Sequence, residues 1–276
     1  MFLYDSSLSV HTLLEFGAKY NPMIAAGQYY RLITAMFLHS GIAHLALNMY
    51  ALNILGKNIE LVFGKVKYVI IYLTAGLFGS LGSFIFTKAI SVGASGAIFG
   101  LFGVYIYLYI KNPDIFHVKQ FTNLLTLIGI NLVFGLVVPS IDNWAHIWGL
   151  IGGFIISWAL GSRREKPLSK DKIVAQVLTV ILIISSLLAG IEMTKNTWQY
   201  NLFKGIEHLK RNEILEAQHQ FNIGISRNKN VEDFYFYLGH IYYVQGDLEQ
   251  AKLNFKKALE INPNFTEAKE MLDKLS

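Results

Sequence analysis

The stretch AISVGASGAIFGLFGVYIYLYI, residues 89–110, decides the fold. It runs without a charged residue for 22 positions, enough at helical rise to cross the roughly 30 Å hydrocarbon layer of a bilayer. Uncharged runs of similar length recur at 68–87, 120–141, 143–162 and 173–191, and a sixth, 32–56, carries His39, His44 and Asn48. The whole chain is 53% hydrophobic and 16% charged, a membrane-protein balance rather than that of a soluble domain. The expected fold is therefore all-α, a polytopic bundle of six spans. No charged-then-apolar leader of the cleavable kind opens the chain, and with no cysteine it has no disulfide or thiol chemistry.

Residues 1–197 hold 14 Lys/Arg against 8 Asp/Glu, and residues 198–276 hold 10 against 11. The basic excess sits at helix ends rather than on one face, which argues against nucleic acid as a partner. Lys57, Lys65, Lys67, Lys111, Lys119, Arg163, Arg164, Lys166, Lys170 and Lys172 fall in loops on one side of the membrane, whereas only Lys19, Arg31, Lys88 and Lys195 lie near the spans on the other. The positive-inside rule makes the first group cytoplasmic. Ser95, His146 and everything beyond residue 191 are then expected on the outer side.

The last 79 residues, 198–276, change character. Gly205 and Gly239, Ala217 and Ala251, and Phe221 and Phe255 are each separated by 34 positions, a helical-repeat period. The segment YFYLGHIYYVQGDLEQAKLNFKKALEINPN resembles a tetratricopeptide repeat through Leu238, Gly239, Tyr242, Ala251, Phe255, Ala258 and Pro263. Residues 232–265 carry that pattern most fully; the copy at 198–231 has Gly224 where the repeat prefers alanine, and 266–276 supply a capping helix. Such a module offers a docking surface to a protein or peptide partner and does not itself catalyse.

Polar side chains inside hydrocarbon cost several kcal/mol unless paired or hydrated, so they mark functional candidates. His44 and Asn48 lie four apart, on one face of one helix. His39 lies just before them, and His146 stands near the start of the run 143–162, with Gly149 and Gly153 following as a smooth stripe. Each alone would serve as a polar tie between helices. The spacing of His39 and His44, five apart with no acid beside them, does not suit a metal site, and no cofactor is expected. Ser95, His146, His44 and Asn48 all fall near the outer ends of their runs, at one depth. Together they hold the parts of a serine hydrolase. His146 is a base for the Ser95 hydroxyl, with Phe99, one turn along from Ser95, to pack its ring. His44, Asn48 and the Ser95 backbone N–H are donors for a developing oxyanion.

With these residues in view, the chain resembles the rhomboid family of intramembrane serine proteases. The matching pieces are YYRLITAMFLHSGIAHLALNMYALNILG, the Glu60 and Gly64 of IELVFG, GASGAIFG with Gly93 and Ser95, and AHIWGLIGGF with His146, Gly149 and Gly153. They stand in family order over residues 28 to about 160. The resemblance implies Ser95 as nucleophile, His146 as general base, and His44 and Asn48 in the oxyanion hole. His39 matches a residue of the surrounding hydrogen-bond network, and Arg31 matches the arginine of the family's Trp-Arg pair, with Tyr30 in place of the tryptophan. It further implies a water-accessible cavity around the dyad and substrates that are transmembrane helices. A rhomboid core with one added span and tetratricopeptide repeats looks like a Gram-positive bacterial type. Trp148 stands where relatives carry glycine or alanine and is expected to point away from the glycine stripe. Residues 1–22 are too short and polar for the span that precedes the first outer loop in the family, so the chain is expected to lack it.

The resulting expectation assigns 1–31 to an extracellular segment and first outer loop, 32–162 to the catalytic membrane core, 163–172 to a basic cytoplasmic loop, 173–191 to an added transmembrane helix and 198–276 to the repeats. The expected protein is a multi-pass intramembrane serine endopeptidase of a bacterial plasma membrane. It would have the lipid bilayer and transmembrane proteins as partners and its repeats outside. The alternative is a non-proteolytic scaffold that binds client membrane helices in the same cavity.

Overall fold

The computed structural model describes residues 9–113, 118–166 and 169–275. Residues 1–8 of the segment 1–31, 167–168 of the basic loop and Ser276 of the tail lie outside the described residues, as do 114–117 between Lys111 and Lys119. The chain is all-α and divides into two units, residues 1–191 and 192–276. The first comprises α1 (Val10–Glu15), α2 (Asn21–Ala25), α3 (Arg31–Thr34), a 3-10 turn (Ala35–Phe37), α4 (Ile42–Phe63), α5 (Lys65–Phe86), α6 (Ser95–Lys111), α7 (Val118–Val137), α8 (Asn143–Leu160) and α9 (Lys170–Lys195), whose last turn passes into the second unit.

The run 32–56, expected as one span, is divided. Residues 32–37 fall in α3 and the 3-10 turn, Leu38 is extended, and α4 starts only at Ile42 and runs on to Phe63. Glycine at 41, extended at φ −178°, breaks the helix before α4. Lys57 and Glu60 therefore ride on α4 rather than in a loop. By length and composition two described helices, α5 and α9, suffice to cross a membrane, and Ser95–Lys111 and Phe121–Val137 are shorter apolar helices. The polar groups His44, Asn48, Lys57 and Glu60 dilute α4, and Asn143 and His146 dilute α8. Six spans were expected; among the residues that dilute two of them are His44, Asn48 and His146, singled out as candidate chemistry.

Lipid is as apolar as a leucine side chain, so close backbone approach rather than water exclusion holds membrane helices together. Helices α5, α6 and α8 meet through small residues. A Cβ on Gly149 would lie 2.0 Å from the carbonyl oxygen of Gly96, and one on Gly153 would lie 2.0 Å from that of Gly100. Trp148 points off this seam and covers Gly82 of α5. The end of the bundle away from Ser95 has an apolar cluster of Ile59, Phe63, Ile71, Leu101, Val104, Tyr107, Ile156 and Ala175. Polar ties close it: Lys67 donates to the Leu160 and Gly161 carbonyls at 2.9 and 2.8 Å, and the Tyr107 hydroxyl donates to Glu165. By contrast α7 and α9 expose most of their leucine, isoleucine and valine side chains, among them Val133, Leu136, Val177 and Ile184. Such faces suit contact with acyl chains.

In the second unit α10 (Trp198–Lys210) pairs with α11 (Ile214–Arg227) and α12 (Glu232–Gln245) with α13 (Leu248–Ile261); α14 (Thr266–Leu275) follows. Here burial from water is the driving force. Phe221, Phe234 and Phe255 are fully buried. Phe221 lies over Gly205 and Phe255 over Gly239, so the 34-residue register is a repeated glycine-under-phenylalanine contact. Glycine at 224 has its own reason: a Cβ there would fall 2.1 Å from the Phe234 ring.

Candidate active site

Ser95 is the first residue of α6, and the turn before it is fixed from two sides. Ser91 pairs with Lys19 through both backbone bonds, each 3.1 Å, and the Gly93 N–H donates to the Ala35 carbonyl at 2.9 Å. Gly93 has φ +127°, a conformation side-chain-bearing residues rarely adopt. Its missing side chain also has a spatial reason. A Cβ would sit 2.7 Å from His44 Cε1, 2.9 Å from His44 Nε2 and 3.8 Å from Asn48 Nδ2. His44 and Asn48, one turn apart on α4, thus lie directly beneath the turn that delivers Ser95.

His146 stands one turn into α8 and is 6% exposed. Its ring stacks on Phe99, centroids 4.0 Å apart and planes within 4°, which fixes the imidazole without a hydrogen-bonded third residue. The glycine contacts set its height against α6: the Ala145 carbonyl lies 3.3 Å from where a Gly96 Cβ would be. Ser95 and His146 therefore flank the same crossing, although no hydrogen bond joins them. Hydrogen bonds of this kind are often long before substrate binds.

Three buried polar atoms lack a partner among the described residues in this region: His39 Nε2, Asn48 Nδ2 and His146 Nδ1. The His39 ring meets His44 edge-on at 5.1 Å, and His44 Nδ1 lies 3.3 Å from the Ser40 hydroxyl. Buried polar atoms without partners are uncommon and costly, so three of them beside the Ser95 turn make this the candidate site. No group of three or more His, Asp or Glu suited to a metal ion occurs among the described residues.

Arg31 stands apart from this cluster. It is 4% exposed and donates to the Leu14 and Ala18 carbonyls at 2.8 and 3.0 Å and to Gln28 at 2.7 Å. Its guanidinium holds α1 and the following turn onto the start of α3, a structural task. Sequence reasoning missed the polar joint beside the site. Asp142 caps α8, accepting from the Ala145 N–H at 3.1 Å, and also takes the hydroxyls of Ser83 in α5 and of Thr87, the residue that ends it. An aspartate just ahead of an apolar helix is a readable capping signal; its α5 partners had none.

A family model described as Rhomboid domain matches residues 26–163, and one described as Tetratricopeptide repeat matches 232–265. The chain is 43% identical over 185 residues to Rhomboid protease GluP of Bacillus subtilis (strain 168), covering 67% of this chain and 36% of that protein. It is 35% identical over 206 residues to RHOMBOID-like protein 6, mitochondrial, of Arabidopsis thaliana, covering 67% of each. It is 32% identical over 149 residues to Putative rhomboid protease YdcA of Bacillus subtilis (strain 168), covering 53% of this chain and 75% of that one. It thus spans about a third of the first relative's length and two thirds or more of the other two.

Proposed function

The chain belongs to the rhomboid family of membrane-embedded proteins, and we propose that it is an intramembrane serine endopeptidase that cuts transmembrane helices with Ser95 and His146. The observation that carries this reading is the convergence at the start of α6 of a serine, a stacked buried histidine, the His44 ring beneath the Gly93 turn and the unpartnered amide of Asn48.

His146 accepts the Ser95 hydroxyl proton as Oγ attacks the scissile carbonyl, and the C=O electron pair moves onto oxygen. The oxyanion meets Asn48 Nδ2, His44 Nε2 and the Ser95 backbone N–H at the first turn of α6, where the helix dipole favours negative charge. Collapse breaks the C–N bond, and the protonated His146 gives its proton to the leaving amine. Water then attacks the acyl-enzyme with His146 again as base, releasing the new carboxylate and restoring Ser95. The flat contact with Phe99 supports a dyad that keeps its ring orientation without an acid. GluP and YdcA, named as a rhomboid protease and a putative one, support the same chemistry. The basic loops support a cytoplasmic assignment for the opposite end of the bundle. The site and the repeats then face outward from a bacterial plasma membrane, with the repeats recruiting substrate or an adaptor.

A scaffold reading draws on one observation, that Ser95 and His146 are not hydrogen-bonded. Purified wild-type and Ser95→Ala protein, each given a transmembrane substrate in detergent, separate the two. Cleavage by wild type alone is expected; equal cleavage by both would end the proposal.

A further inference from the structure

Beside the site lies a set of buried and half-buried polar residues that the catalytic steps do not use. Thr87, at the end of α5, is their meeting point. Its carbonyl accepts from Lys19 Nζ at 2.7 Å and Asn21 Nδ2 at 3.1 Å, while its hydroxyl donates to Asp142 at 3.2 Å. Lys19, 1% exposed, also donates to the Ala89 carbonyl at 3.0 Å, and Asn21 to that of Phe84 at 2.9 Å. Asp142 takes a second hydroxyl, from Ser83. On its far side it grips the first turn of α8 twice, through Ala145 N–H to its carboxylate at 3.1 Å and His146 N–H to its carbonyl at 3.2 Å.

Lys19 therefore stands at a fork. Through Ser91 its backbone holds the limb that leads to Ser95; through Thr87 and Asp142 its side chain holds the limb that leads to His146. We propose that Asp142 is a positioning residue for the reaction, and that Lys19, Thr87 and Asp142 form a strap from the N-terminal segment that sets the Ser95 and His146 limbs to one height. The proposal rests on the reading of His146 as the base. Its physical basis is that a displacement of about 1 Å at reacting groups costs on the order of 10²-fold in rate, and that Asp142 bonds both to the turn bearing His146 and to a different helix. A cap that served only α8 would need no partner on α5.

The test uses the full chain in detergent with a fluorogenic transmembrane substrate, and kcat and KM measured separately. Asp142→Ala is expected to lower kcat by about 10- to 100-fold with KM little changed. Asp142→Asn, which caps a helix as well as aspartate and still accepts a hydroxyl, is expected to recover most of that loss. If Asp142→Ala fails to fold, Thr87→Val keeps the cap and breaks only the strap, and a several-fold loss of kcat is expected. Wild-type kcat in Thr87→Val, or equal losses in Asp142→Ala and Asp142→Asn, would overturn the strap. His146→Ala separates the two ideas. Wild-type activity there removes the base and the strap with it, whereas an inactive His146→Ala beside a fully active Asp142→Ala removes the strap alone.

Discussion

Gly149→Ala tests how the limbs that bear Ser95 and His146 are held together. The added methyl carbon would fall 2.0 Å from the Gly96 carbonyl oxygen and 2.8 Å from its carbon, where ordinary contact begins at 3.4 Å. Both atoms are backbone of α6, so no side chain can rotate away. Restoring contact distance needs an opening of about 1.4 Å (3.4 less 2.0) between α6 and α8. Overpacking of this kind costs about 1–3 kcal/mol, partly offset by alanine's helical advantage of about 0.5–1 kcal/mol over glycine. A net loss of roughly 1–2 kcal/mol leaves most molecules folded. Activity is the more sensitive readout, because the opening lies one residue from Ser95 and three from His146 along the chain; a fall of on the order of 10²-fold in kcat is expected. Gly129→Ala on α7 is the control, since nothing lies within 4 Å of its added carbon, and it should leave activity intact and stability equal or slightly higher. Thermal unfolding and substrate cleavage in the same detergent measure both. Wild-type cleavage by Gly149→Ala would refute the claim that this backbone contact sets the distance between Ser95 and His146.

Asn48→Ala is expected to lower kcat by about 10²–10³, as for other oxyanion donors, with substrate affinity nearly unchanged; a pure KM effect would remove Asn48 from the oxyanion hole. Burial holds the Lys19 amine at a pKa of about 7, below its usual 10.5, with the nearby Asp142 charge partly opposing the shift. The unfolded chain thus binds the proton more readily between those values, so Lys19's contribution to stability is fully present above pH 10.5 and is lost as pH falls toward 7. Wild type should therefore gain on Lys19→Met by up to a few kcal/mol between pH 7 and 10, read as the difference in unfolding midpoints; a flat or reversed difference contradicts this account. Phe255→Ala empties the space above Gly239 and should cost about 3–5 kcal/mol, enough to make residues 192–275 of the full chain readily cleaved in limited proteolysis; undiminished resistance would count against that packing.

Much of this is legible in the sequence, for identifiable reasons. Hydropathy finds the apolar runs because the bilayer demands length and few charges, and residues three and four apart on a helix share a face whatever surrounds it. Ser95 with Phe99, His44 with Asn48, and Gly149 with Gly153 were legible in that way. Contacts between distant segments were not. Lys19, Ser83, Thr87 and Asp142 are joined across as many as 123 positions (142 less 19), and no periodicity links them. Arg31 was visible as a motif residue, but its carbonyl partners at 14 and 18 depend on how α1 folds back. Glycine 224 read as a departure from the repeat until the Phe234 ring gave it a purpose. The split of 32–56 escaped hydropathy because residues 38–41 break the helix without adding charge.

The central claim is that Ser95 is a nucleophile activated by His146. A fluorophosphonate probe, followed by mass spectrometry of the adduct peptide, reads this without knowledge of the natural substrate. The account predicts one modified residue, Ser95, in the wild-type chain, no labelling in Ser95→Ala, and labelling slowed by orders of magnitude in His146→Ala. Labelling of His146→Ala at the wild-type rate, or an adduct on another serine that persists in Ser95→Ala, would contradict it.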